Sequence, residues 1–132
     1  MMQPLNISPT EFSPRINFSP ETNKFEIQGE SRPENTAKFY SLVLDWIQKF
    51  QHYLKQNPSE RNLIFEFRFD YFNSTSAKFI LDLFRQLDDL QKEVSSVKIH
   101  IRWHFDKLDE DMRDSGEEFS HLVNLPFEFI AH

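Results

Sequence analysis

Two stretches with a period of two, separated by one with a helical period, constrain this chain more than any other feature. From Leu63 to Phe72, the residues Leu63, Phe65, Phe67, Phe69 and Tyr71 alternate with Glu66, Arg68 and Asp70. Successive side chains of a strand point to opposite faces, so this segment reads as a strand with one apolar and one polar face. From Val97 to Phe105 the design repeats: Val97, Ile99, Ile101, Trp103 and Phe105 alternate with Lys98, His100, Arg102 and His104. Between them Ile80, Leu83, Leu87, Leu90 and Val94 form one helical stripe. A strand–helix–strand unit of this length is a crossover joining parallel strands, nearly always right-handed. A parallel sheet covered on both faces would show continuous apolar runs. The alternation here predicts helices packed mainly on one face, with the other left to water or to a partner.

The rest of the chain extends this layout. Residues 1–13 are rich in Pro, Ser and Asn and read as an irregular lead-in. Arg15–Phe18 and Lys24–Ile27 flank the turn formers Ser19-Pro20-Glu21-Thr22-Asn23, which predicts a hairpin. Ser31 and Glu34 have capping-box spacing, with Pro33 acceptable in a first turn, and Phe39, Val43, Ile47, Phe50 and Leu54 follow at helical spacing. Asn57-Pro58 ends that helix. A weaker helix spans Asp109 to Val123, anchored by Met112, Phe119 and Leu122 with Gly116 inside it, and a short extended piece closes the chain. The predicted order is β-β-α-β-α-β-α: an α/β fold with a mixed sheet, in one domain over residues 14–132.

Composition narrows the function. The 132 residues contain 15 Phe, enough for a packed core, and the net charge is −6. A phosphate backbone is bound through clustered Lys and Arg, and no such cluster occurs, so nucleic acid is not an expected partner. No apolar run reaches membrane-spanning length, and the first residues have neither the basic region nor the apolar core of a signal peptide. There is no Cys, which removes disulfides, thiol nucleophiles and thiolate-bound zinc. The expectation is a soluble, acidic, cytoplasmic protein.

Chemistry is hard to find. His100 and His104 share a strand face but lie about 13 Å apart at strand rise, too far to chelate one metal ion. The acidic run Asp106, Asp109, Glu110, Asp111, Asp114, Glu117 and Glu118 lacks the order of a calcium loop, and Asp109–Asp111 instead complement a helix dipole. With only two Gly, the chain has no nucleophile elbow, Walker-type loop or dinucleotide fingerprint. No cofactor and no catalysis are expected.

The junction Asp70-Tyr71-Phe72-Asn73-Ser74-Thr75-Ser76 stands apart. It lies past the carboxyl end of the strongest strand, where ligands and reactive groups collect in α/β sheets. Asn73 or Ser74 suits an N-cap, which contributes about 1 kcal/mol. Capping accounts for one such residue and not for three hydroxyls in a row. A phosphate on one of them would add about −1.5 to −2 charges at the positive end of a helix dipole, among free N–H donors. The fold would survive, and the surface shown to a partner would change sign.

Gly29-Glu30-Ser31-Arg32-Pro33-Glu34-Asn35, with Phe39-Tyr40 and Asp45-Trp46, resembles the GESxPEN…FY…DW signature of the SiaC family of bacterial regulatory phosphoproteins. Tyr71-Phe72-Asn73-Ser74-Thr75-Ser76 resembles that family's YFNTSS motif, and Asp109-Glu110-Asp111-Met112, Gly116 and Pro126-Phe127 its C-terminal pattern. The resemblance implies a fold similar to the anti-sigma-factor antagonist (STAS) domain and a partner-switching role without enzymatic activity. It implies a serine/threonine kinase of the anti-sigma type that modifies the hydroxyl after Asn73, and a PP2C-type phosphatase that removes the phosphate. It further implies that the unphosphorylated form engages a diguanylate cyclase, raising cyclic-di-GMP synthesis and affecting biofilm formation. Carried onto this chain, the acceptor is Ser74. The family order is Thr then Ser, whereas Ser74 precedes Thr75 here, which keeps Thr75 as second choice. Asn73, Thr75, Ser76, Glu30, Ser31, Glu34 and Asn35 would form the switch surface. Arg32 departs from the family's usual aromatic or aliphatic residue. The rival reading is a constitutive interaction domain that binds through its polar sheet face and never uses Ser74 as a switch.

Overall fold

A computed structural model describes residues 2–132. The strands are β1 (Leu5–Ile7), β2 (Arg15–Ser19), β3 (Lys24–Ser31), β4 (Arg61–Phe72), β5 (Val97–Phe105) and β6 (Phe127–Ala131); the helices are α1 (Thr36–Gln56), α2 (Ser74–Glu93) and α3 (Glu110–Leu122). The six strands form one sheet in sequential order, antiparallel from β1 to β3 and parallel from β3 to β6. The order inferred from the sequence runs unbroken inside this arrangement, with a strand added at each end. β1 lies in the segment expected to be irregular, where Leu5, Asn6 and Ile7 pair with Phe18, Asn17 and Ile16. Three residues are too short for periodicity to announce them.

Parallel neighbours joined through α1, α2 and α3 put every helix on the same face. The buried apolar side chains of all three helices and of β2 to β5 belong to one cluster. Its centre is aromatic: Phe25 stacks on Phe65 at 4.4 Å between ring centroids, and Phe67 lies 4.6 Å from Phe84. Burying one such side chain contributes about 1.5–3 kcal/mol. Glu26, Gln28, Glu66, Arg68, His100 and Arg102 stand at the intervening strand positions, outside this cluster.

Irregularities shape the carboxyl ends of β3 and β4. Gly29 takes φ +121°, open to glycine and strained for other residues, and the β3–β4 register shifts just after it. Gly29 pairs with Phe69 but Glu30 pairs with Tyr71, leaving Asp70 as the extra residue of a bulge. The extra residue inverts the alternation. Tyr71, expected on the apolar face, is 48% exposed, and Phe72 turns inward to meet Phe69, Trp103 and Phe119.

Two further expectations are corrected. Ser31 does not cap α1: it is the last residue of β3, and Asn35 is the cap, its side chain accepting from the Lys38 N–H at 3.0 Å. Leu122 is 55% exposed, and Val123 and Leu125 bury in its place because α3 ends before them. Gly116 earns its position in α3 through Trp103, whose Nε1 donates to the Met112 carbonyl at 3.0 Å. A Cβ at Gly116 would sit 2.5 Å from the indole ring.

Candidate functional site

The carboxyl ends of β3 and β4 deliver the chain into α1 and α2 side by side. The Asn73 N–H donates to the Ser31 carbonyl at 3.1 Å, carrying the β3–β4 pairing one residue past the strands. Asn73 then caps α2: its backbone is extended (φ −85°, ψ 173°), and its Oδ1 accepts from the Ser76 N–H at 2.8 Å.

The three hydroxyls that follow have different fates. Ser76 is fully buried and donates to the Ser31 carbonyl at 2.9 Å. Ser31, also fully buried, donates its hydroxyl proton to Ser76 Oγ at 2.9 Å. With both serine protons committed, the contact at 2.6 Å between Tyr40 and Ser31 has the phenol donating to Ser31 Oγ. A directed chain, Tyr40 to Ser31 to Ser76 to the Ser31 carbonyl, thus joins α1, β3 and α2. Burial pushes the Tyr40 phenol up to about 12. Ser31 and Ser76, expected on the switch surface, are instead buried, because both are consumed in holding the helix starts to the sheet.

Ser74 and Thr75 are exposed, and among the described residues neither hydroxyl has a hydrogen-bond partner within the protein. Asn73 already supplies the cap and Ser76 the tie to the sheet, so Ser74 and Thr75 have no structural duty. Neither α1 nor α2 carries an acidic residue in its first turn, whereas α3 has Glu110 and Asp111 there and Asp109 as its cap. The positive end of α2 therefore has no carboxylate at its cap or in its first turn, whereas Glu34 precedes the Asn35 cap of α1.

Beside Ser74 lies a set of residues that sequence periodicity does not reveal. Glu30 is half-buried, and its carboxylate accepts from Arg32 Nε at 2.8 Å. The Arg32 guanidinium sits 4.5 Å from the centre of the Phe12 ring, and its backbone N–H donates to the Phe12 carbonyl at 2.8 Å. Thr10 shapes the loop that presents Phe12, its Oγ1 accepting from the Phe12 and Ser13 N–H groups. The hydrogen bond to Glu30 holds Arg32 above its ordinary pKa. Phe12 and Tyr71 are 41% and 48% exposed. Glu34 and Asn35 are exposed at the start of α1.

A second polar cluster lies on the uncovered sheet face. His104 Nε2 meets Glu66 Oε1 at 2.6 Å, and His104 Nδ1 meets His132 Nε2 at 2.8 Å. An open cleft of about 660 Å³ adjoins it, bordered by Arg68, Asp70, His104, Asp106, Leu108 and the first turn of α3. Among the described residues no three side chains are placed to share a metal ion. None of the helices described is long and apolar enough to cross a membrane.

Comparison with known proteins places this geometry. The family model described as SiaC family regulatory phosphoprotein matches residues 7–132. A Pseudomonas aeruginosa (strain UCBPP-PA14) protein of uncharacterised function is 28% identical over 131 residues, covering 99% of this chain and 98% of that one. The crystal structure of apo-SiaC from Pseudomonas aeruginosa superposes with a TM-score of 0.84 at 28% identity, over 98% of this chain and 100% of that one. SiaC in the crystal structure of the diguanylate cyclase SiaD with its activator SiaC, from the same organism, gives 0.83 at 29% identity, over 97% and 99%.

Proposed function

The chain belongs to the SiaC family of regulatory phosphoproteins, and from that premise we propose that it is a non-enzymatic switch whose state is set by phosphorylation of Ser74. The observation that carries this reading is the division of labour at the start of α2. Asn73 caps, Ser76 anchors, and Ser74 is exposed with no partner to lose. A phosphate there meets free N–H groups at the positive end of a helix that has no carboxylate in its first turn. Modification leaves the core untouched and adds about −1.5 to −2 charges to the surface.

The writer is a serine/threonine kinase of the anti-sigma type, and the eraser is a PP2C-type phosphatase. The unphosphorylated surface, built from Asn73, Ser74, Thr75, Glu30, Glu34 and Asn35, docks on a diguanylate cyclase in the cytoplasm. Support for that partner comes from the relative solved as an activator in complex with one. Intact-mass analysis after treatment with the cognate kinase is expected to show one added phosphate. Ser74→Ala abolishes it. An unchanged mass, or loss of the phosphate with Thr75→Ala in place of Ser74→Ala, overturns the assignment.

A further inference from the structure

Arg32 follows Ser31, and Ser74 follows Asn73; the Ser31 carbonyl and the Asn73 N–H are hydrogen-bonded at 3.1 Å. The two residues thus leave a bonded pair on neighbouring parallel strands, which lie about 4.8 Å apart. An arginine side chain extends its guanidinium farther than that. Arg32 is exposed, and its present partners are weak holds: a single half-buried carboxylate, Glu30, and the face of Phe12. We infer that Arg32 reads the phosphorylation state of Ser74, exchanging Glu30 for the phosphate when the serine is modified. This rests on Ser74 being the modified residue.

Charge and geometry favour the exchange. Glu30 offers one negative charge, against about −1.5 to −2 and three acceptor oxygens on a phosphoserine. The planar guanidinium fork engages two phosphate oxygens at once, which an ammonium cannot do. The rival cation is Lys78, exposed on α2 four residues after Ser74 and so on the same helical face. In the exchange Arg32 leaves the Phe12 ring, so the modification reorganises the aromatic patch beside the switch.

The test installs phosphoserine at position 74 of the full chain by codon expansion and follows the phosphate by 31P NMR as pH is varied. In the otherwise unmodified chain, its second pKa falls below that of phosphoserine in an unstructured peptide. Arg32→Ala raises it again by about half a unit, a threefold change in proton affinity. Arg32→Lys recovers part of the shift, and Lys78→Ala moves it less than Arg32→Ala does. A phosphate that titrates identically with and without Arg32, or a shift that disappears only with Lys78→Ala, overturns the inference. Because the phosphate is installed and not enzymatic, this result stands apart from whether the kinase modifies Ser74. A kinase that leaves Ser74 unmodified defeats the switch reading instead.

Discussion

Ser76 donates its hydroxyl proton to the Ser31 carbonyl at 2.9 Å and accepts the Ser31 hydroxyl proton at the same distance. This reciprocal pair fastens the first turn of α2 to the end of β3, directly beneath the exposed Ser74. Ser76→Ala removes the acceptor of the buried Ser31 hydroxyl proton and one of the two donors to the Ser31 carbonyl, a loss of about 1–3 kcal/mol. Urea denaturation checks this, and Thr75→Ala, an exposed change, is expected to fall within about 0.5 kcal/mol of the parent.

Tyr40 gives the fold a signature at high pH. Its phenol is held up to about 12 in the folded protein, whereas in the unfolded chain it ionises near 10. A raised folded pKa contributes stability that is complete below the unfolded pKa and lost as pH rises through the folded one. Stability therefore falls by roughly 3 kcal/mol between about pH 10 and pH 12. Tyr40→Phe removes that component of the slope, at a cost near neutral pH of about 1 kcal/mol for the lost hydrogen bond. Denaturant midpoints across this pH range for the two proteins provide the comparison.

Gly116 tests the packing of α3. Alanine is about 1 kcal/mol better than glycine inside a helix, yet its Cβ would sit 2.5 Å from the indole of the fully buried Trp103. Overpacking of this kind costs about 1–3 kcal/mol. Gly116→Ala is expected to destabilise by up to about 2 kcal/mol, read by thermal or urea denaturation. A gain in stability would mean that the ring yields more readily than its surroundings indicate.

Much of this architecture is legible in the residue pattern because burial on one side of a sheet imposes a period of two. β4 and β5 follow that rule, and so does the stripe of α2. Legibility ends where one residue breaks the period. The bulge at Asp70 turned Tyr71 outward, and nothing in a single strand's alternation reports the partner strand's register. Ser31 at capping-box spacing was misleading for a related reason: its hydroxyl is taken by Tyr40 and Ser76, residues distant in sequence. The hydroxyl cluster itself was visible, but its sorting into a buried anchor and two exposed groups depends on a contact spanning 45 residues. Phe12 lies in a loop with no period at all, so only the fold brings it to Arg32.

The cap at Asn73 allows helix stability to be tested apart from the proposed switch. Asn73→Ala removes the acceptor of the Ser76 N–H and costs about 1 kcal/mol, while Asn73→Asp keeps the acceptor and most of the stability. The aspartate also places a negative charge next to Ser74. Kinase-dependent phosphate incorporation into Asn73→Asp is therefore expected to slow relative to the parent although its denaturation midpoint is retained. Equal rates would show that charge next to the acceptor does not matter.

The most direct measurement is the affinity of this protein for the diguanylate cyclase proposed as its partner, by titration calorimetry, before and after stoichiometric phosphorylation at Ser74. The unmodified protein is expected to bind, with at least about a tenfold weakening, some 1.4 kcal/mol, once the phosphate is present. Equal affinity of the two forms would contradict the proposed switch and leave a constitutive interaction domain in its place.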